Sequence, residues 1–267
     1  MKVVILAGGY GTRIAEETSS KPKPMVQIGG KPILWHIMKI YAAQGFNEFV
    51  ILLGYKSEII KEYFRNYLIN NNDVTINIKT GEYRIHTKNS EDWKVSLVDT
   101  GLNTMTGGRI KFAEKYVNNE KFFLTYGDGL SNIDLKKLYK FHIKHKKIAT
   151  LTGVQLKGRF GTIDFHNNLI KNFKNKDNIV KNFREKPSNE NAWVNGGFFI
   201  CEPRIFRYLK SLKTIFEKEP LQKLAKEKQL YVYKHKDFWH PMDNISDHKL
   251  LNKLWNAGKA PWKIWKK

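Results

Sequence analysis

Strand and helix signals alternate through the first half of this 267-residue chain, and that alternation leaves few folds open. Val3 to Ala7 is a short apolar run that stops at Gly8 and Gly9, as a strand buried on both faces should. Pro32 then opens a helix through about Gln44, with Ile33, Ile37, Ile40 and Tyr41 on one face and Gly45 placed to close it. Phe49 to Leu53 reads as the next strand, and Ser57 can cap a helix carrying Ile60, Phe64 and Tyr67 on one side. Phe122 to Tyr126 is a further strand, ended by Gly-Asp-Gly, and Asp134 can cap a helix that turns Leu135, Leu138, Phe141 and His142 inward. Strands separated by helices pack as a layered α/β fold with a largely parallel sheet.

The second half is richer in strands, at 148–154, 161–165, 196–201 and 229–235, with helices expected around 203–211 and 216–228. Residues 166–182 are polar, rich in Asn and Lys, and read as a hairpin or protruding loop. No repeat or long flexible linker divides the chain, so residues 1–267 are expected to form one domain with inserted β elements. Trp255, Trp262 and Trp265 near the C-terminus are too apolar to be left in water. They should pack on the body or against a partner subunit.

The formal charge of +22 invites a nucleic-acid reading. The distribution argues against it. Of the 47 cations only 8 are arginine, and the lysines are scattered apart from short clusters at 144–147 and the C-terminus. No finger, basic-zipper or RNA-recognition signature accompanies them. The basic surface is therefore read as solvated, part of it serving anionic phosphate substrates. No apolar run reaches the length of about 18 residues that a membrane span needs. The five-residue apolar run at the N-terminus is read as a strand, not a signal peptide. Cys201 is the sole cysteine, so no intrachain disulfide is possible, which suits a cytoplasmic setting.

The strongest chemical signal follows the first strand, where Gly8, Gly9 and Gly11 lead into Thr12 and Arg13. Glycines let backbone N–H groups approach phosphate oxygens, a threonine adds a hydroxyl donor, and an arginine adds a cationic fork. The dinucleotide-binding fingerprint fails because Ile14 replaces its third glycine, and no Gly-Lys-Ser/Thr completes a Walker loop. Pro22 and Pro24 should hold Lys23 in an extended segment, where its ammonium could neutralise a phosphate. A lone lysine there could equally be a surface residue. Asp128, in a glycine-flanked turn at a strand end, is placed to meet a metal but could be a simple turn former. Asp243 could likewise be a metal ligand or a helix cap. The eight histidines show no metal spacing; His142 and His145 fit a helix face, and Cys201 a small core residue.

The segments "LAGGYGTR" (6–13), "KPKPM" (21–25), "GGKPIL" (29–34), "TMTGGR" (104–109), "TYGDG" (125–129), "FWHPMD" (238–243) and "GKAPWKIW" (258–265) resemble, in order, the nucleotide-sugar pyrophosphorylase family. Within it they are most similar to the branch that uses CTP and glucose 1-phosphate. That resemblance implies a three-layer, Rossmann-like nucleotidyltransferase fold with a mixed, mostly parallel central sheet. It implies transfer of a cytidylyl group, with release of pyrophosphate and Mg²⁺ as cofactor. Residues 1–130 would mainly bind nucleotide and 131–267 mainly sugar phosphate. Leu6, Ala7, Gly8 and Gly9 would hold base and ribose, and Gly11, Thr12 and Arg13 the triphosphate. Lys23 would hold the α-phosphate, and Thr104 and Arg109 would contact CTP. Asp128 and Asp243 would bind the metal, with Tyr126 and Gly127 lining the site. Glu185, Lys186 and Asn195 would contact the sugar phosphate. A homo-oligomer and a role in surface polysaccharide synthesis are expected on the same ground. Residues 166–182 depart from the family pattern as an insertion before Glu185. Two alternatives stay open: a uridylyl- or thymidylyltransferase for another sugar phosphate, and a non-catalytic nucleotide-binding protein.

Overall fold

Val3–Ala7 forms β1 at the centre of the main sheet, in a computed structural model that describes residues 1–86, 90–155, 162–165, 180–184 and 193–265. The other strands of this sheet are β2 (Glu48–Leu53), β3 (Lys94–Asp99), β4 (Phe122–Tyr126), β5 (Ala149–Gln155), β6 (Thr162–Phe165), β7 (Val180–Arg184), β8 (Trp193–Cys201) and β9 (Leu230–His235). β1 lies between β2 and β4 and runs parallel to both, and β3 extends the parallel set beyond β2. β8 runs antiparallel to β4 and to β5, and β9 pairs in parallel with β5. β6 and β7 pair antiparallel beside the start of β8. Only β7 and β8 oppose the other strands, so the sheet is mixed and mostly parallel.

The continuous apolar run of β1 follows from its burial on both faces. Val3, Ile5 and Ala7 enter one core, while Val4 and Leu6 enter the other. The first core is covered by α1 (Ile33–Ala42), α4 (Leu135–His145) and α6 (Ile245–Asn256). The second is covered by α3 (Thr106–Phe112) and α5 (Glu219–Lys226). These are the three expected layers. α2 (Ser57–Arg65) packs through Ile60 against the first core. Among the described residues, no helix is long and apolar enough to cross a membrane.

Several boundaries differ from expectation. The chain turns through Lys56 in a left-handed conformation (φ 49°), so Lys56 precedes α2 and Ser57 is its first residue, one position too late to cap it. Asp134 does cap α4, accepting from the Lys137 N–H at 2.8 Å. The helix expected at 203–211 is a 3₁₀ turn over Pro203–Tyr208, and the next starts only at Glu219. Lys23 is not extended. Pro22 is (ψ 151°), but Lys23–Met25 closes a 3₁₀ turn, because its two hydrogen bonds use the N–H groups of Met25 and Val26 and none from proline. β3, α3 and a small hairpin of Val74–Ile76 with Tyr83–Ile85 were not foreseen. β6 ends just before the polar insertion 166–182, and the insertion's last three residues are the start of β7, which pairs back on β6; 166–179 lie outside the described residues.

The C-terminal tryptophans pack on the body. Trp262 is fully buried, and its indole N–H donates to Nδ1 of buried His36 at 3.4 Å. Nε2 of His36 lies 2.8 Å from the Ile28 carbonyl, so Nε2 carries the proton and the ring is neutral. Burial pushes the His36 imidazole down from 6.5 to about 4. The unfolded chain then binds a proton in this window that the folded chain does not. Stability from this group is complete above pH 6.5 and lost as pH falls toward 4, by about 3 kcal/mol in all. The gap in unfolding free energy between wild type and His36→Asn should therefore shrink by that order between pH 7 and pH 4.5. A gap independent of pH would show that His36 is not a buried neutral imidazole.

Candidate active site

The carboxyl ends of β1 and β4 lie side by side, with Leu6 in register with Tyr126. This is where ligands bind in open α/β sheets. A cleft of about 560 Å³ opens there. Residues 6–13 form one wall, Leu102–Thr106 and Arg109 the other, and Lys23, Tyr126, Gly127 and Asp128 the base. Gly11 turns the first wall with φ +68°, which leads into the 3₁₀ turn at Thr12–Ile14.

Asp128 and Asp243 are 115 positions apart, and a short ribbon brings them together. Gly129–Ser131, directly after Asp128, pairs with Trp239–Pro241, which Met242 alone separates from Asp243. The Met242 N–H donates to the Asp128 carbonyl at 2.8 Å. Asn244 makes the capping box at the start of α6 with Asp247, whose carboxylate also accepts from the Asp243 N–H at 2.9 Å. The cap is therefore Asn244, and the Asp243 side chain is directed elsewhere. Lys23 Nζ donates to Asp128 at 2.7 Å and to Asp243 at 2.9 Å, and Arg13 Nη1 donates to Asp243 at 2.9 Å. Burial pulls the Lys23 ammonium down, but the two facing carboxylates more than offset it and hold it above 10.5.

Two carboxylates sharing one cation are hard oxygen donors in the number Mg²⁺ commonly takes from protein, alongside waters and phosphate oxygens. No group of three or more His, Cys, Asp or Glu able to hold a metal occurs among the described residues. The pair thus suits a metal completed by substrate, not an all-protein cage.

Arg109 is buried beneath the second wall. Its Nη1 donates to the Leu53 carbonyl at 3.0 Å, the Thr100 hydroxyl at 2.6 Å and the Gly101 carbonyl at 2.7 Å; its Nη2 donates to the Leu102 carbonyl at 3.0 Å. A Cβ on Gly8 would lie 2.4 Å from this guanidinium, so Gly8 is what lets the two walls approach. Thr104 donates to the Thr100 carbonyl at 2.5 Å. Both residues line the cleft, but these bonds hold the loop 100–104 in shape. Asn195, on β8, donates to the Tyr126 hydroxyl at 3.4 Å. Tyr126 in turn donates to Glu217 at 2.6 Å. Glu217 carries no motif and was not foreseen. Glu185 and Lys186 lie outside the described residues.

The chain is similar to known proteins over nearly its whole length. The sequence signature of the nucleotidyl transferase family matches residues 2–247. Glucose-1-phosphate cytidylyltransferase of Salmonella typhimurium is 47% identical over 266 residues, covering 99% of this chain and 100% of that protein. The D-glycero-alpha-D-manno-heptose 1-phosphate guanylyltransferase of Aneurinibacillus thermoaerophilus is 30% identical, over 86% of this chain and 88% of its own. Among solved structures, HddC from Yersinia pseudotuberculosis complexed with GMP-PN superposes with a TM-score of 0.72 at 25% identity, covering 95% of this chain and 99% of that one.

Proposed function

The chain belongs to the nucleotidyl transferase family, and from that premise we propose that it joins CTP to α-D-glucose 1-phosphate, giving CDP-glucose and pyrophosphate. The observation that carries the chemistry is the convergence of Arg13, Lys23, Asp128 and Asp243 through ion pairs beside the glycine-rich wall of the cleft. The full-length similarity to the Salmonella enzyme carries the choice of substrates.

A phosphate oxygen of glucose 1-phosphate attacks the α-phosphorus of CTP. The bond from that phosphorus to the bridging oxygen breaks, and its electron pair leaves with pyrophosphate. No covalent enzyme intermediate is needed, so acceleration comes from positioning and charge neutralisation. Backbone N–H groups of the glycine-rich wall and Thr12 hold the triphosphate. Arg13, at the open edge, neutralises the leaving pyrophosphate. Lys23 screens the α-phosphoryl oxygens, moving from its present place between two carboxylates. Asp128 and Asp243 would hold Mg²⁺, which supplies charge neutralisation on phosphate oxygens when bound. Residues 1–130 carry most nucleotide contacts. Asn195, with Glu185 and Lys186, takes the sugar phosphate from the second half.

Leu6 to Gly9 bound the base pocket, and the loop held by Arg109 and Thr104 closes it. Cytosine presents an amino donor where uracil and thymine present a carbonyl. A group that accepts from that amino loses its bond and faces repulsion with UTP or dTTP, a cost of about 1–3 kcal/mol, or roughly tenfold to a hundredfold. CTP is expected to be preferred, UTP weaker and purine triphosphates poorest. Thr104→Ala and Arg109→Ala should raise the KM for CTP more than that for glucose 1-phosphate, because both loosen the wall against the base. Specificity constants across a triphosphate panel test this, and equal values for CTP and dTTP would refute the base choice.

A further inference from the structure

Glu217 touches both halves of the cleft from outside it. One carboxylate oxygen accepts from the Tyr126 hydroxyl at 2.6 Å, and the other accepts from the Thr106 hydroxyl at 2.6 Å. Tyr126 ends β4 at the cleft and accepts from Asn195, the proposed sugar contact. Thr106 is the first residue of α3, at the end of the loop that closes the base pocket. Its oxygen also accepts from the Phe216 N–H at 2.9 Å, so its proton is committed to Glu217. Both hydroxyls therefore have one defined direction, set by one carboxylate.

The segment carrying Glu217 is itself fastened to the nucleotide loop. The Met105 N–H donates to the Leu212 carbonyl and the Gly107 N–H to the Thr214 carbonyl, each at 2.9 Å. A Cβ on Gly108 would lie 2.4 Å from the Leu212 carbonyl oxygen, and one on Gly107 would lie 2.7 Å from the Thr214 side chain. These two glycines thus admit residues 212–217 against α3. On the sugar side, a Cβ on Gly197 would lie 2.6 Å from the Tyr126 ring, so that ring is seated directly on β8.

We propose that Glu217 is a positioning residue that sets the nucleotide wall through Thr106 and the sugar-phosphate side through Tyr126 and Asn195, coupling the two substrate sites. This rests on the reading of the cleft as a site for CTP and glucose 1-phosphate. It assigns Glu217 no contact with either substrate. Its loss should act on KM for both, with kcat changed less.

The test is a variant set measured by steady-state kinetics, thermal unfolding, and calorimetric CTP binding without sugar phosphate. Thr106→Val removes one arm and should raise the KM and Kd for CTP. Tyr126→Phe removes the other and should raise the KM for glucose 1-phosphate. Glu217→Ala should raise both, by about tenfold each, as for a lost hydrogen bond to a charged group. Glu217→Gln, which keeps one acceptor oxygen, should fall between Glu217→Ala and wild type. Added to Tyr126→Phe, Glu217→Ala should raise the KM for CTP but not raise that for glucose 1-phosphate further. A lower unfolding temperature with both KM values unchanged, or fully additive sugar-phosphate effects, would overturn the proposal. If Glu217→Ala does not fold, the two single-arm variants and Glu217→Gln decide it by the same criteria. Inactive wild type with every substrate pair would refute the functional reading instead, and the calorimetric comparison of Thr106→Val with Glu217→Gln would still judge the nucleotide arm.

Discussion

Asp128→Asn and Asp243→Asn should each lower turnover by about 10³-fold or more while leaving the fold in place. Each substitution keeps size and removes one negative charge from a pair that faces Lys23 and would hold Mg²⁺. Neutralising phosphate charge with a bound metal contributes several kcal/mol to a transition state, and each 1.36 kcal/mol is about tenfold in rate. The fold should survive because the ribbon that brings these residues together is main chain. Met242 donates to the Asp128 carbonyl, and the Asp243 N–H donates to Asp247, and neither bond uses the substituted carboxylates. Turnover in Mg²⁺ alongside circular dichroism checks both halves of the expectation. Near-normal activity of both variants would remove the pair from the mechanism.

Lys23→Ala and Arg13→Ala should each lower turnover by about 10² to 10³, the usual effect of removing a positioned donor from a developing charge. Their stability effects should differ. Arg13 is 68% exposed, and its pair with Asp243 contributes little to folding. Lys23 is only 8% exposed, and its loss leaves two carboxylates facing each other without a shared cation. Lys23→Ala should therefore unfold at lower temperature as well. Lys21→Ala is the control, since Lys21 pairs with Glu17 at 3.5 Å and, among the described residues, with neither aspartate. If Lys23→Ala lost stability but kept full activity per folded molecule, Lys23 would be a structural counter-ion and nothing more.

What could be read from the chain was what local physics determines. An apolar run ending in glycines had to be an interior strand, and β1 is one. Asp134 could cap a helix, and does. The aspartates of Gly-Asp-Gly and Pro-Met-Asp stood out, but their meeting depends on a three-residue ribbon between distant segments, which no periodicity announces. Glu217 was invisible for the same reason: its hydroxyl partners are 91 and 111 residues away. Arg109 stood out as a cation in a loop motif, yet three of its four hydrogen bonds go to main-chain carbonyls, which residue type cannot foretell. Lys23 lies in a turn where an extended segment is expected, because the proline rule concerns α-helix, while a single 3₁₀ turn needs fewer N–H donors. β3 was missed because its burial is partial, leaving a weak apolar pattern at a sheet edge.

The most direct measurement incubates the purified protein with CTP, glucose 1-phosphate and Mg²⁺ and follows all phosphorus species by ³¹P NMR. CDP-glucose and pyrophosphate should appear in equal amounts as both substrates disappear, with neither product formed when either substrate is left out. Pyrophosphate released without glucose 1-phosphate, or no CDP-glucose from the complete mixture, would contradict the assignment.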